Sequence, residues 1–279
     1  MSDVALHIET GANVAASQAH PVMQVTRTRE SRTGTREIAN ETAVAIEFDG
    51  TPYAVMMATP ADLEDFAIGF ALSERIVRHP SEIARVDIRY GERGIGIDLR
   101  LQREHSARLA ERRRALAGQS GCGICGIATI EEALPELPPL SSAPSLLASA
   151  VFAALDALSS HQTLNSATGA VHAAAFCRPD GVIVAAREDV GRHNAFDKVI
   201  GHLARGDEDA QNGFALLTSR CSYELVQKAI LARIPVLVTV SAPTELAITI
   251  AGAARLTLIA LARKDAFLVF NDPFNSVVK

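Results

Sequence analysis

At 279 residues, with 48% apolar and 21% charged side chains, the chain has the composition of a globular protein of one large or two modest domains. A formal net charge of −5 argues against a nucleic-acid binder, and no window reaches the run of roughly 18 apolar residues that a membrane helix needs. Of the four cysteines only Cys122 and Cys125 lie close together, which is not a disulfide framework.

The opening stretch, through His20, lacks a basic n-region and carries Asp3 and Glu9 where a signal peptide is apolar. Residues 1–22 are therefore read as a flexible tail, with the protein cytoplasmic and its thiols in a reducing compartment. Residues 23–117 read as a small ββαββ roll domain. Glu41–Phe48 alternates apolar and smaller or polar side chains, Asp49-Gly50 turns the chain, and Tyr53–Met57 returns it. Thr59-Pro60 opens a helix whose apolar stripe is Leu63, Phe66, Ala67, Phe70 and Ala71. Strands at Ile83–Tyr90 and Gly94–Leu101 follow, and His105–Gly118 reads as a polar helix with Arg108, Arg112, Arg113 and Arg114.

Residues 118–139 form a Gly-Cys-rich loop and a Pro-rich connector. Residues 140–279 then alternate strands and helices: a helix over Leu146–Leu158, a hairpin of His172–Cys177 and Val182–Arg187, and a helix around Asn194–Leu203. The strand Phe214–Thr218, helix Tyr223–Ala232, strand Val236–Val240, helix Glu245–Arg255 and two strands across Thr257–Phe270 complete the pattern. Such alternation predicts a mostly parallel sheet covered on both faces, an α/β fold beside the smaller α+β roll.

Two places carry chemistry. Gly121-Cys122-Gly123-Ile124-Cys125-Gly126 fits a dinucleotide fingerprint by letter, but an Arg-rich helix precedes it and no carboxylate stands about 20 residues on, so that reading fails. Two thiols at this spacing can face one acceptor, and nearby arginines would favour the nucleophilic thiolate. The competing readings are half a zinc knuckle, which lacks its second pair of ligands, and two incidental thiols. Downstream, three helix starts fall beyond the carboxyl ends of predicted strands. They are Arg187–Asn194, Thr218-Ser219-Arg220-Cys221-Ser222 and Ser241-Ala242-Pro243-Thr244. Helix N-termini there suit a phosphate or other anion, with Arg192 and Arg220 as bidentate partners, while Ser222, Ser241 and Thr244 also read as N-caps. The Gly191-Arg192-His193-Asn194 cluster is denser in polar groups than capping requires. His172 alone reads as structural, Asp197 and Lys228 as solvated or paired, and Cys177 and Cys221 as packed or half-exposed thiols.

Arg187–Gly201, in full REDVGRHNAFDKVIG, resembles the signature of the formate dehydrogenase accessory sulfurtransferases, the FdhD/NarQ family. The likeness extends to Thr59–Leu63 with Gly69-Phe70 and Ser73-Glu74, the Gly-Cys-Gly-Ile-Cys-Gly loop, Thr168-Gly169 with His172, Thr218–Lys228 and Val240–Thr244. It implies a cytidine-deaminase-like three-layer α/β/α domain, a ubiquitin-like roll and a homodimer. It further implies a sulfur carrier that takes persulfide sulfur from a cysteine desulfurase and passes it to the molybdenum bis(molybdopterin guanine dinucleotide) cofactor for formate dehydrogenase. No metal would be held directly. By the same resemblance Cys122 carries the persulfide and Cys125 assists or shares the sulfur. Cofactor contacts fall on Leu261, Ala262, Arg263, Lys264, Asp265 and Ala266, joined by Arg192, His193, Asn194, Ser219, Arg220 and Ser241. Relatives often carry Gly and Phe in the 261–266 segment, and this chain departs from them there. The rival functions are a non-catalytic cofactor chaperone and a zinc deaminase, whose metal ligand set is incomplete in this sequence.

Overall fold

The computed structural model describes residues 4–9, 14–27, 31–103, 105 and 134–279. The sequence-predicted Arg-rich helix, apart from His105, and the loop holding Cys122 and Cys125 lie outside the described residues.

The smaller unit is a five-stranded sheet against one helix. β4 (Thr42–Phe48) turns into β5 (Thr51–Ala58) at Asp49-Gly50, where both residues take positive φ (51° and 72°), as an Asp-Gly hairpin requires. α1 (Leu63–Ser73) follows, and then the hairpin β6 (Ile83–Gly91) and β7 (Gly94–Leu101). β4 and β7 pair in parallel at the centre, so each hairpin lies on its own side of the sheet. Val44, Ile46 and Phe48 point inward with Ile95, Ile97 and Leu99 onto the Phe66–Phe70 face of α1, which closes this core.

The N-terminal segment is not a tail throughout. β1 (Ala5–Glu9) extends the sheet by pairing in parallel with β6, and β2 (Ser17–Val25) forms an antiparallel ribbon with β3 (Ser31–Ala39). The boundary drawn at residue 22 thus falls inside β2. These strands escape a pattern search because the ribbon is solvent-covered on both faces and carries no alternation, with Pro21 in its middle. It is tied to the body by Arg36 Nη2 donating to Thr168 O (3.2 Å), and Asn40 Nδ2 donating to Ala15 O (2.6 Å) closes its base.

The larger unit is built on a six-stranded sheet. β8 (Leu146–Leu147) leads into α2 (Ala148–Leu158), and α3 (Thr163–Thr168) precedes the hairpin β9 (His172–Cys177) and β10 (Ile183–Asp189). Then come α4 (Arg192–Arg205), β11 (Phe214–Leu217), α5 (Tyr223–Leu231), β12 (Val236–Thr239), α6 (Glu245–Ala253), β13 (Thr257–Ala260) and β14 (Leu268–Asn271). β15 (Val277–Val278) closes the chain by pairing with β8. The order is β10-β9-β11-β12-β13-β14.

Only β11–β12 and β12–β13 are parallel, so the sheet is mixed rather than mostly parallel. The two parallel links are those crossed over by a helix. The β9–β10 turn at Pro179-Asp180-Gly181 and the short β13–β14 connection instead reverse the chain. Both faces are covered, as expected. Phe176, Leu217, Leu237 and Leu258 face α4, α5 and α6, while Cys177, Leu216, Val238 and Ile259 face α2. Among the described residues the α/β chain has six α-helices, none long and apolar enough to cross a membrane.

α1 and α4 join the two units at a crossing where glycines replace side chains. A Cβ on Gly69 would lie 1.8 Å from Asp197 O, and one on Gly201 would lie 1.9 Å from Asp65 O. Around this contact run three ion clusters, each centred on a buried aspartate. Asp65 accepts from Arg187 Nε and Nη2 (2.9 and 2.7 Å) and from Arg205 Nη1 (2.8 Å). Asp197 accepts from Lys228 Nζ (2.7 Å) and Ser73 Oγ (2.7 Å). Asp189 pairs with Lys198 at 2.7 Å, and both side chains are wholly buried. Asp197 and Lys228 are therefore paired and buried, not solvated.

Candidate functional site

The site is at the carboxyl edge of β11, β12 and β13, where α4, α5 and α6 begin. Three loops run side by side there, joined by backbone hydrogen bonds. Cys221 N donates to Ala242 O (3.1 Å), Thr244 N to Cys221 O (3.0 Å), Ser241 N to Ser219 O (3.4 Å) and Leu261 N to Ser241 O (3.3 Å). Residues 218–222, 241–244 and 261–266 thus continue the strand order outward as one rim. Leu261 turns the third loop at φ 54°, and Arg263 N donating to Ala266 O (2.8 Å) tightens it, leaving Arg263, Lys264, Asp265 and Ala266 exposed.

β9 is antiparallel to β11, so its first residue, His172, reaches the same edge. Thr218 fixes that junction: its Oγ1 accepts from Ala173 N (2.9 Å). The start of α4 supplies Arg192 and His193. Arg192 is half-buried, and its Nε is buried with no hydrogen-bond partner among the described residues. His193 Nε2 lies 3.0 Å from Glu224 Oε2 and 3.4 Å from Ser222 Oγ, which itself donates to Glu224 (3.1 Å). Hydrogen bonding from His193 is the largest influence on Glu224 and, against the cost of burial, holds its carboxyl down at about 2. Burial first, then the charges of Arg192 and His193, pushes His172 below the ordinary histidine range.

Thr244 caps α6 by accepting from Ala247 N (3.3 Å), as the sequence predicts. Ser222 precedes α5 without a capping bond, because its hydroxyl goes to Glu224. Of the residues expected at the edge, Arg192, His193, Arg220, Ser241, Leu261 and residues 263–266 do gather there, while Ala262 is packed into the core. Ser219 is at the rim but buried, its hydroxyl donating to Arg220 O (2.9 Å). Asn194 is different. It is buried, with Nδ2 donating to Met57 O (2.8 Å) and Asp189 Oδ1 (3.0 Å), so it ties β5 to β10 rather than opening to the rim. Cys177 and Cys221 are packed, and burial pushes both thiols up to about 12. Cys122 and Cys125 lie outside the described residues.

The profile of the FdhD/NarQ family matches residues 39–276. The chain belongs to the FdhD/NarQ family. Among its relatives is a sulfur carrier protein FdhD of Xanthomonas campestris pv. campestris (strain B100), 48% identical over 254 residues and covering 90% of each chain. Another, of Variovorax paradoxus (strain S110), is 47% identical and covers 85% of each. A solved structure from Desulfotalea psychrophila, assigned as a formate dehydrogenase accessory protein, shares the fold. Its TM-score is 0.75 at 23% identity, covering 94% of this chain and 100% of that one.

Within this FdhD/NarQ chain, much of the signature stretch turns out to be internal. Asp189, Asn194, Asp197 and Lys198 are all buried and bind across to the small unit or to α5. Sequence reasoning missed Glu224 and the standing of His172. The signal was available in part, since Glu224 sits one turn-start away from His193's neighbour Ser222, but only the fold brings α4 and α5 together.

Proposed function

We propose that the chain is a sulfurtransferase: a sulfur carrier that loads Cys122 or Cys125 from a cysteine desulfurase and delivers to the molybdenum bis(molybdopterin guanine dinucleotide) cofactor used by formate dehydrogenase. The observation that carries this reading is the rim itself. Arg192, His193, Arg220, Arg263 and Lys264 converge with three helix N-termini on one edge, a setting for a pyrophosphate-bearing substrate. Family membership and the relatives named sulfur carrier protein FdhD support it. The same resemblance supports a cytidine-deaminase-like character for the larger unit, a ubiquitin-like one for the smaller, a homodimer and a cytoplasmic location.

In this chemistry a loop thiolate attacks the terminal sulfur of the donor's persulfide and the donor's cysteine thiolate leaves, so one sulfane sulfur moves without any oxidant. Delivery as sulfide needs two electrons. The second loop thiolate supplies them by attacking the inner sulfur of the new persulfide, forming a Cys122–Cys125 disulfide and expelling HS⁻. The zinc-deaminase reading is disfavoured, because Cys221, at the helix start where a ligand would stand, is packed into the core. Among the described residues no group of three or more His, Cys, Asp and Glu is placed to hold a metal.

The test is intact-mass analysis after incubation with a desulfurase and cysteine. One added sulfur atom, removable by dithiothreitol and absent from the Cys122→Ala, Cys125→Ala double variant, is expected. Undiminished formate dehydrogenase maturation by that double variant would instead make the protein a cofactor chaperone.

A further inference from the structure

Three cationic or titratable side chains crowd the start of β9 and α4: His172, Arg192 and His193. They are not equivalent. His193 has its own carboxylate, Glu224 at 3.0 Å on α5. Arg192 has a buried Nε without a partner among the described residues. His172 is half-buried, and burial first, then its neighbours Arg192 and His193, pushes it below the ordinary histidine range. The carboxylate opposite it in the β9–β10 register is Asp189, but Asp189 is taken up by Lys198 (2.7 Å), Thr59 N (3.0 Å), Gly191 N (2.8 Å) and Asn194 Nδ2 (3.0 Å). From β11 the adjoining group is the neutral hydroxyl of Thr218. Among the described residues the corner therefore presents His172 with the guanidinium of Arg192 and no uncommitted carboxylate.

We propose that a phosphoryl anion bound at this rim takes up one proton with it, on His172. This rests on the anion-binding reading of the rim given above and adds the residue that makes the affinity depend on pH. Without an anion, burial first and then the neighbouring Arg192 and His193 disfavour the protonated ring. A phosphoryl group beside Arg192 reverses the sign of the local field, favours the imidazolium and adds a charged hydrogen bond from His172. His172 thus has a lower proton affinity in the empty protein and a higher one in the complex. Between those two values binding consumes a proton, and affinity falls by up to about tenfold per pH unit as pH rises. Above both values the coupling disappears.

The experiment is calorimetric titration of the full-length protein with inorganic pyrophosphate, in buffers of contrasting ionisation enthalpy, from pH 5.5 to about 8. The expected result is a heat that varies with the buffer, reporting uptake of close to one proton. His172→Gln should lower that uptake by close to one proton, leaving only the exchange from pyrophosphate's own ionisation, and weaken binding at acid pH by about tenfold, with little change at the alkaline end. A proton exchange that is the same in the parent and in His172→Gln overturns the proposal while leaving the anion rim intact. No pyrophosphate binding at any pH overturns both. Sulfur loading of the thiol loop is read separately by mass and stands or falls independently. Should His172→Gln not fold, the imidazole resonances of the unsubstituted protein serve instead: the His172 titration must move to higher pH when pyrophosphate saturates the site, and an unmoved titration refutes the proton uptake.

Discussion

Glu224 shows how far one side chain's role depends on a neighbour distant in sequence. Read alone, it is an acidic residue in the first turn of α5, favourable to the helix dipole and otherwise unremarked. In the fold it bonds His193 and Ser222, and its folded pKa is depressed to about 2. A depressed carboxyl stabilises the fold above its unfolded value, ~4.3, and loses that contribution as pH falls through the folded one. Glu224→Gln should therefore melt at a lower temperature than the parent near pH 6. The gap should close between pH ~4.3 and the folded value, which scanning calorimetry across that range checks. Because the side chain is 46% exposed, solvent screening keeps the effect small. His172 teaches the same lesson from the other side: a histidine at a strand start reads as structural until β9 is seen to run antiparallel to β11, which carries it to the rim.

At the scale of elements, the strands and helices with strong periodicity were legible. α1, β4, β5, β6, β7 and the alternation from β9 to β14 fall within a few residues of where hydrophobic spacing puts them. β1, β2, β3, β8, α3 and β15 were not, and each is either exposed on both faces or only a turn long, so no buried stripe marks it. The mixed character of the sheet was also hidden, since alternation reports that helices intervene but not which strand the chain lands beside. The glycines of the α1–α4 crossing illustrate a feature visible as letters and opaque as meaning. Replacing Gly69 or Gly201 by Ala places a methyl against a backbone carbonyl that cannot yield without moving a helix. Each substitution should cost about 3 kcal/mol in urea denaturation, at the upper end of overpacking penalties. A loss below about 1 kcal/mol would mean that the helices stand further apart than described.

For the molecule as a whole, the contact between the two units is held by buried charge as well as by packing. Leu72 of α1 packs against both cores, and Lys198 reaches Asp189, Thr59 O (3.0 Å) and Glu188 O (3.3 Å) from a wholly buried position. Removing one partner leaves an uncompensated buried charge. Lys198→Met should lose about 3–5 kcal/mol, more than a neutral replacement of both partners would. Circular dichroism should show the two units still unfolding in one transition for the parent protein, and a broadened or split transition for the variant. Neither the pairing nor its depth follows from the letters Asp-Val-Gly-Arg-His-Asn-Ala-Phe-Asp-Lys, which read equally well as a ligand-binding loop.

The burial of that stretch bears on what motif matching can detect. A descendant chain that lost both loop thiols but kept Asp189, Asn194, Asp197 and Lys198 would retain its seam, fold as this one does and score as a full member of the lineage. Recognition by this signature therefore certifies an architecture, and the sulfur chemistry we propose for Cys122 and Cys125 has to be certified separately.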